Sequence, residues 1–155
     1  MRWIHSIRPI FGPFLFTLLT LLIHITPAAA QECEPPVGTV ASVQGTVEAL
    51  RKGRNRWQPL RLRDILCTGD AVRVGENSRA DLALAGQSVL RLEAGTEMTL
   101  EGISEERTFL LDIFRGAAHF FSGQPRGLEV RTPYTIAGVR GTEFLVRIEA
   151  DQTFL

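Results

Sequence analysis

The chain has few of the residues from which catalytic and metal sites are usually built. It contains three histidines and two cysteines in 155 residues, and His119 is the only histidine after residue 30. Two cysteines with no histidine nearby in sequence cannot provide the four ligands of a structural zinc site. No Gly-x-Ser-x-Gly turn accompanies His119, and no glycine-rich phosphate loop precedes a helical pattern. We therefore expect no catalytic residue, no metal site and no bound cofactor.

The chain also lacks an excess of positive charge. It has 17 basic and 17 acidic side chains. Arg2 and Arg8 lie in the first 30 residues, which hold no acid, so 15 basic residues face 17 acidic ones in the remainder. This balance gives no electrostatic basis for nucleic-acid binding. The basic residues of 51–56 do cluster, and we interpret them as a solvated hairpin tip. Contact with an anionic envelope polymer is the alternative.

No amphipathic helix pattern follows residue 30, and the only long apolar run is Ile10–Ile25. Basic residues precede this run, and the small residues Ala28–Ala30 follow it. This order is typical of a secretory signal peptide, here residues 1–30, with cleavage between Ala30 and Gln31. The run is shorter than the roughly 20 residues of a membrane-spanning helix. We favour a cleaved signal, which contacts the membrane only transiently. An uncleaved anchor is the alternative.

Both cysteines, Cys33 and Cys67, follow the predicted cleavage site. An even number of cysteines in an exported chain favours a disulfide. In the chain-entropy model such a bridge stabilises the fold by about 3–4 kcal/mol. We divide the exported part into a surface lead-in at residues 31–36 and one β domain at residues 37–155.

The exported part alternates apolar and polar residues with the period of a β-strand. The clearest alternation gives three short strands with inward-facing Leu82 and Leu84, Leu90 and Leu92, and Met98 and Leu100. Shorter pieces flank Gly45 and follow Gly69-Asp70. The sequence predicts an all-β domain of about ten to twelve short strands, either a β-sandwich or a coiled β-roll.

Three further strands are predicted after the polar loop at residues 102–107. Thr108–Phe114 is apolar on both faces, so we expect a central strand covered on both sides. Ala117–Phe121 and Leu128–Thr132 follow, with a turn at Gly123–Gly127 between them. Two side chains have structural and functional interpretations. We expect Trp57 to cover the end of the core rather than to stack on a ligand, and His119 to be structural.

The segment Thr132–Val146 is the least generic part of the chain. Its two glycines, Gly138 and Gly141, predict a strand, a corner and a second strand. After the corner, inward residues alternate with outward ones, and Leu145 is the apolar exception on the outer face. The inward residues are Phe144, Val146 and Ile148.

Arg140, Thr142 and Glu143 also have two interpretations. In the structural interpretation, Thr142 and Glu143 bond to backbone donors at the corner, and Arg140 pairs with an acid such as Asp70 or Asp112. In the functional interpretation, Arg140 and Glu143 bind a ligand or a partner strand. We favour the structural one.

This segment resembles the signature of the FecR domain. The matching residues are Arg131, Thr132 and Pro133, followed by Val139, Arg140, Gly141, Thr142, Glu143 and Phe144. Further matching pieces occur in the expected order at residues 45–47, 66–70, 78–84 and 111–116, so the resemblance covers residues 37–149. It implies a β module at the periplasm or cell surface of a Gram-negative bacterium. In the founding members a cytoplasmic segment binds a sigma factor. Only Met1–Pro9 precede the apolar run here, so we do not expect such a segment.

The resemblance implies a fold more directly than a function. We expect a non-catalytic module for envelope sensing or binding, acting through protein–protein or polymer contacts and by strand addition. The alternative is a structural N-terminal module of a longer envelope protein, with no ligand of its own. FecR domains usually continue with another hairpin, so we expect a C-terminally incomplete domain. Its last strand would begin near Thr153, and the edge of Phe144–Ile148 would be unpaired.

Overall fold

The computed structural model describes residue 33 and residues 36–104, 108–149 and 152–155. The predicted signal peptide and cleavage site, together with most of the lead-in at 31–36, lie outside the described residues. All described residues belong to one compact unit, Gln31–Leu155. This part of the chain contains no helix, and so none that could cross a membrane.

The described residues form eleven β-strands, which confirms the all-β prediction and the predicted strand number. The strands are β1 Gly38–Gln44, β2 Val47–Leu50, β3 Trp57–Pro59, β4 Ile65–Leu66, β5 Ala71–Val74, β6 Arg79–Leu84, β7 Ser88–Leu92, β8 Glu97–Ile103, β9 Phe109–Arg131, β10 Ile136–Glu149 and β11 Gln152–Phe154.

All strand pairs are antiparallel and belong to one sheet. Along the sheet the order is β3-β2-β5-β8-β9-β7-β6-β1-β4, and β10 pairs with both β9 and β11. Only two residues, Gly45 and Thr46, separate β1 from β2, although these strands lie towards opposite ends of the order. The sheet must therefore curl so that its two ends approach each other. Gly45 permits the sharp change of direction because its φ is +76°.

The core fills the inside of this curled sheet. The alternating residues predicted to face inward are all buried: Leu82, Leu84, Leu90, Leu92, Met98 and Leu100. The strands flanking Gly45 contribute Val40, Val47 and Ala49, and the strand after Asp70 contributes Val72 and Val74. The period-two pattern thus predicted both the strands and their buried faces.

The second half of the chain differs from the prediction. The three strands expected between Thr108 and Thr132 are one 23-residue strand, β9. The predicted turn at Gly123–Gly127 is wrong, because these residues lie inside β9. Along its length β9 pairs successively with β8, β7 and β10. Ser122 pairs with β7, and Arg126 and Gly127 pair with β10, so the glycine-containing segment is held at both ends and its local preference for a turn is overridden.

Burial on both faces of Thr108–Phe114 is also wrong. Phe109, Leu111 and Ile113 are buried, Leu110 is half-buried, and Phe114 is 49% exposed. A single curled sheet has only one interior, so the alternate residues of this segment face outward.

The two ends of β9 lie side by side. Nη1 of Arg131 lies 3.3 Å from Oδ2 of Asp112, across 19 residues of the same strand. Gly127 and Thr108 are also in contact, because the Thr108 side chain occupies the space that a Cβ at Gly127 would need. The last residues of β9 therefore pack against its beginning, and Leu128 and Val130 join the core. β10 pairs with both halves of this strand, at residues 116–121 and 126–131.

Candidate functional site

The segment that carries the sequence signature lies mainly in β10. This strand runs from Ile136 to Glu149 without a corner, so the predicted glycine corner is wrong. Gly138 and Gly141 do not have a positive φ. The irregularity is a register shift against β9 between Gly141 and Glu143. Gly141 instead allows a close approach, since a Cβ there would lie 3.0 Å from the Phe144 ring.

The predicted faces of β10 are confirmed. Val146 is buried, and Phe144 and Ile148 are partly buried and pack against the core. The Phe144 ring stacks on Phe120 with a centroid separation of 5.9 Å. Leu145 is 41% exposed on the outer face. The inward side chains hold β10 in place, while the outward ones remain accessible.

The edge of β10 that faces away from β9 is largely unpaired. At Arg147–Glu149 this edge pairs with β11, which forms where a last strand was predicted. No other described strand pairs with β10 between Ile136 and Val146. Ile136 is 64% exposed, and Leu145 lies near the other end of this stretch. Backbone N–H and C=O groups on such an edge are available to another chain.

The signature residues at the β9–β10 turn have structural roles. The backbone N–H of Thr132 donates to the carbonyl of Thr135 at 2.8 Å. The Thr132 hydroxyl accepts hydrogen bonds from the backbone N–H groups of Tyr134 and Thr135. It also bonds to the Thr153 hydroxyl at 2.8 Å. Thr132 therefore both closes the turn and ties it to β11.

The predicted partners of Arg140 and Glu143 are wrong. Asp70 pairs with Arg51, and Asp112 pairs with Arg131. Within the described residues Arg140 has no carboxylate at ion-pairing distance. Glu143 lies inside β10 rather than at a turn, and its Oε1 lies 2.9 Å from Nε2 of His119 on β9. The curled sheet thus gives both acids other partners than Arg140.

Asp70 forms a buried hydrogen-bonding centre. Its Oδ2 accepts from the backbone N–H of Cys67 at 3.0 Å, and its Oδ1 accepts from the backbone N–H of Lys52 at 3.0 Å. Cys67 forms the predicted disulfide with Cys33. Arg51 also contributes to this centre, so the solvated-tip prediction fails for Arg51, whose side chain is 14% exposed. It holds for residues 52–56, which are all exposed.

His119 has an acid partner, Glu143, and among the described residues no hydroxyl or thiol hydrogen-bonds to its ring. The centroid of its ring lies 4.0 Å from that of the Phe121 ring. In the sheet, His119 lies opposite Arg91 of β7 on one side and Leu145 of β10 on the other. The nearby Ser122 hydroxyl is bonded to the Ser88 hydroxyl at 3.0 Å. A Ser-His-acid mechanism requires a hydroxyl held by the imidazole. No group of three potential metal ligands comes together in the described part of the chain.

Trp57 lies half-buried in the short strand β3. The Arg73 guanidinium lies over its ring, 4.3 Å from the centroid. Arg73 is itself held by an ion pair with Glu48 at 2.7 Å. One face of the indole is therefore covered by this protein's own cation, which supports the structural interpretation of Trp57.

A polar cleft of about 640 Å³ lies beside the paired residues 124–129 of β9 and 138–140 of β10. Its walls include the charged side chains of Arg126, Glu129 and Arg140. Thr108 and Gln124 also line it. The sequence drew attention to Arg140 but not to this cleft, because the cleft depends on the register between two strands.

Comparison with models of protein families shows which family this chain belongs to. The family model described as FecR protein matches residues 70–155, which is more than half of the chain. The chain belongs to the FecR family. The matched range begins at Asp70 and includes the complete signature in β9 and β10. The resembling piece at residues 45–47, and all but Asp70 of the piece at residues 66–70, lie before the match.

A search of the curated proteins and a search of the solved structures each found no match to this FecR chain. The family is a regulatory one, involved in envelope signalling. The Cys33–Cys67 disulfide of this FecR domain fits a location outside the cytoplasm.

Proposed function

We propose that this FecR protein is a non-catalytic binding module of the Gram-negative envelope, exported to the periplasm or the cell surface. It binds an extended segment of another envelope protein along the free edge of β10. The observation that carries this proposal is the unpaired stretch between Ile136 and Val146, in the longest edge strand of the sheet. An added strand would gain main-chain hydrogen bonds there, and side-chain contacts would provide selectivity.

The other edges of the sheet show why β10 is distinctive. The order of strands ends in β3 on one side and β4 on the other, and these strands have three and two residues. Very short edge strands protect a soluble protein from unwanted pairing. By contrast, β10 has 14 residues, of which β11 pairs with three. The length of its unpaired part supports a role in partner binding.

Exposed apolar side chains accompany this edge. Ile136 and Leu145 lie on it, and Phe154 and Leu155 are exposed beside its paired end. A shallow groove is lined by three of these residues, Leu145, Phe154 and Leu155, together with Arg147 and Glu149. An extended partner segment could bury these apolar groups while its backbone pairs with β10.

Site-directed photo-crosslinking in the intact envelope tests the proposal. A photoreactive residue at position 136 or 145 should give a discrete crosslinked product with one envelope protein. The same residue at Leu62, which is 60% exposed in a loop, is the matched control and should not give that product. The double variant Ile136→Lys/Leu145→Lys should lose the interaction, because charged side chains block edge pairing.

Two results would contradict strand addition. One is a crosslinking pattern that does not distinguish position 136 or 145 from position 62. The other is a partner retained in full by the double lysine variant. The alternative, a structural module without a ligand, predicts that no position gives a discrete product while the domain remains folded.

A further inference from the structure

The lysine and arginine side chains without an acidic partner are concentrated in one segment. Seven arginines pair with a carboxylate: Arg51, Arg73, Arg79, Arg91, Arg115, Arg131 and Arg147. Five others in the described part of the chain have no carboxylate at ion-pairing distance and lie between residues 52 and 63. These five are Lys52, Arg54, Arg56, Arg61 and Arg63, and all are exposed. Together they form what we call the basic surface.

No acidic side chain neutralises the basic surface. The sequence contains no aspartate or glutamate from residue 49 to residue 63. The acids on either side of this segment are already engaged. Glu48 pairs with Arg73, and the Asp64 carboxylate accepts a hydrogen bond from the backbone N–H of Arg61. The cations are therefore free to attract an anionic partner, although 17 acidic residues outnumber 15 basic ones in the exported chain.

One short strand joins the two parts of the basic surface. The loop at residues 52–56 precedes β3, and the turn at residues 61–64 follows it. From residue 56 to residue 61 the chain spans at most about 18 Å, because an extended residue adds no more than about 3.6 Å. Gln58 and Pro59, which lie between the two parts, are exposed as well. A single broad partner can therefore contact both parts at once.

An exposed leucine lies in the turn of the basic surface. Leu62 is 60% exposed, and Arg61 and Arg63 flank it in sequence. Backbone hydrogen bonds fix the turn: Asp64 N–H donates to the Arg61 carbonyl, and Arg63 N–H donates to the carbonyl of Val40. Arg63 has a φ of +70°, which is uncommon for a residue other than glycine. The fold thus holds an apolar side chain outward between two arginines.

We propose that the basic surface binds an anionic phospholipid membrane. Its cations contact the phosphate groups of the lipid headgroups, because anionic lipid attracts lysine and arginine side chains near the surface. Guanidinium groups also bind phosphate through paired, charge-assisted hydrogen bonds. Leu62 inserts below the headgroups, since apolar side chains bind to membrane interfaces by burying their surface. None of these residues belongs to β10 or β11, so this function is separate from strand addition.

The apolar side chain favours a membrane over a soluble polyanion. An acidic polymer would neutralise the cations, but it has no apolar layer into which Leu62 could insert. Binding of single-stranded nucleic acid would use an exposed aromatic ring for base stacking. The aromatic residue of this segment, Trp57, is half-buried, and the Arg73 guanidinium lies over its ring. A lipid surface is the partner that uses both the cations and the leucine.

Vesicle flotation of the disulfide-bonded exported chain, the compact unit Gln31–Leu155, tests this proposal. The chain should float with vesicles of phosphatidylglycerol and phosphatidylethanolamine and remain in solution with vesicles of phosphatidylcholine. Added salt should weaken the binding, because it screens exposed charges. The variant Arg61→Gln/Arg63→Gln should lower the partition coefficient about thirtyfold, which corresponds to about fivefold for each arginine.

The matched control is Arg79→Gln/Arg115→Gln. Both residues are exposed arginines outside the basic surface, paired with Glu93 and Glu97. This variant changes the net charge by the same amount and should leave the partition coefficient nearly unchanged. An equal loss of binding in the two double variants would show that only the net charge matters, which would overturn the proposal.

Tryptophan fluorescence measures insertion at position 62. In the variant Trp57→Phe/Leu62→Trp, the indole at position 62 should emit at shorter wavelength with anionic vesicles. Lipids brominated on their acyl chains should quench it. Trp57→Phe alone supplies the background, because Trp57 is the only tryptophan of the exported chain. An indole that is not quenched would contradict insertion.

Two further results would overturn the proposal. One is equal binding to the anionic and the phosphatidylcholine vesicles. The other is binding of a soluble polyuronate as tightly as of the anionic vesicles, which would identify a polymer as the partner. In the envelope, a photoreactive residue at position 62 should form lipid adducts rather than the protein product expected at positions 136 and 145. Membrane binding and strand addition can therefore succeed or fail independently.

Discussion

Nη1 of Arg51 donates to Oδ2 of Asp70 at 2.8 Å and also to the backbone carbonyl of Ile65 at 2.6 Å. The Asp70 side chain is fully buried, and its oxygens also accept from the backbone of Lys52 and Cys67. A single ion pair thus connects the end of β2, the strand β4 and the disulfide-bonded segment. These contacts explain why Arg51 and Asp70 are buried, although polar residues beside turns usually lie in surface loops.

Replacing Arg51 should be strongly destabilising. Arg51→Met retains much of the apolar stem but leaves the buried Asp70 carboxylate without its cation. Breaking a buried pair in this way costs about 3–5 kcal/mol. Urea unfolding of the exported chain would measure the loss. Arg79→Met is the control, since Arg79 and Glu93 are both partly exposed and such pairs contribute about 0–1 kcal/mol. Equal losses in the two variants would contradict the special role of Asp70.

Removing the disulfide should lower stability by a similar amount. Cys33 and Cys67 are 34 residues apart, and closing a loop of that size contributes about 3–4 kcal/mol in the chain-entropy model. The Cys33→Ser/Cys67→Ser variant should unfold at lower urea concentration than the oxidised protein. Reductant should lower the stability of the native chain to that of the variant. If reductant also destabilised the variant, the effect would not come from this bridge.

Gly116 should not tolerate a side chain. It lies inside β9 with φ at +86°, and a Cβ there would lie 2.5 Å from Cα of Thr96. Thr96 is buried, and its hydroxyl exchanges two hydrogen bonds with the backbone of Ala117. Gly116→Ala should therefore cost about 3 kcal/mol or more, from backbone strain and displacement of Thr96.

Gly53→Ala separates the two contributions to the Gly116 effect. Gly53 also has a positive φ, at +74°, but a Cβ there would have no atom within 4 Å. This variant should lose only about 1–2 kcal/mol, from the left-handed conformation alone. Urea unfolding of both variants measures the difference. A Gly116→Ala variant no less stable than Gly53→Ala would show that β9 can shift away from Thr96.

Arg73 should shield Trp57 from water. The guanidinium over the indole is held by Glu48, and a cation–π contact at an exposed site contributes about 0.5–1 kcal/mol. Arg73→Ala should shift Trp57 emission to longer wavelength and increase its quenching by acrylamide. Trp57→Phe gives the background emission, because Trp57 is the only tryptophan of the exported chain. An unchanged spectrum in Arg73→Ala would mean that the guanidinium does not cover the ring in solution.

The N-terminus of the native protein tests the predicted export. Signal cleavage should produce a chain that begins at Gln31, because small residues precede this position. N-terminal peptide mapping of protein from an envelope fraction would show it. Alkylation before reduction should leave Cys33 and Cys67 unmodified. Recovery of peptides from residues 1–30 in the same fraction would support the uncleaved-anchor alternative.

The sequence by itself determined the strands from Arg79 to Leu100 and their buried faces. Alternation of leucines with polar residues is a local property, so any curled or flat arrangement of these strands would bury the same side chains. The disulfide followed from the number of cysteines, and the family followed from the signature at Arg131–Phe144. These inferences required no knowledge of which strands become neighbours.

Only the tertiary structure decided which distant residues meet. Local turn signals gave Gly123–Gly127 as a turn, but β9 continues through these residues, and Arg126 and Gly127 pair with β10. The partner of Asp112 is Arg131 rather than Arg140, because the two ends of β9 lie side by side. The cleft between Glu129 and Arg140 likewise depends on the β9–β10 register. Charge pairing and cleft formation act through space, and the curl of the sheet sets those distances.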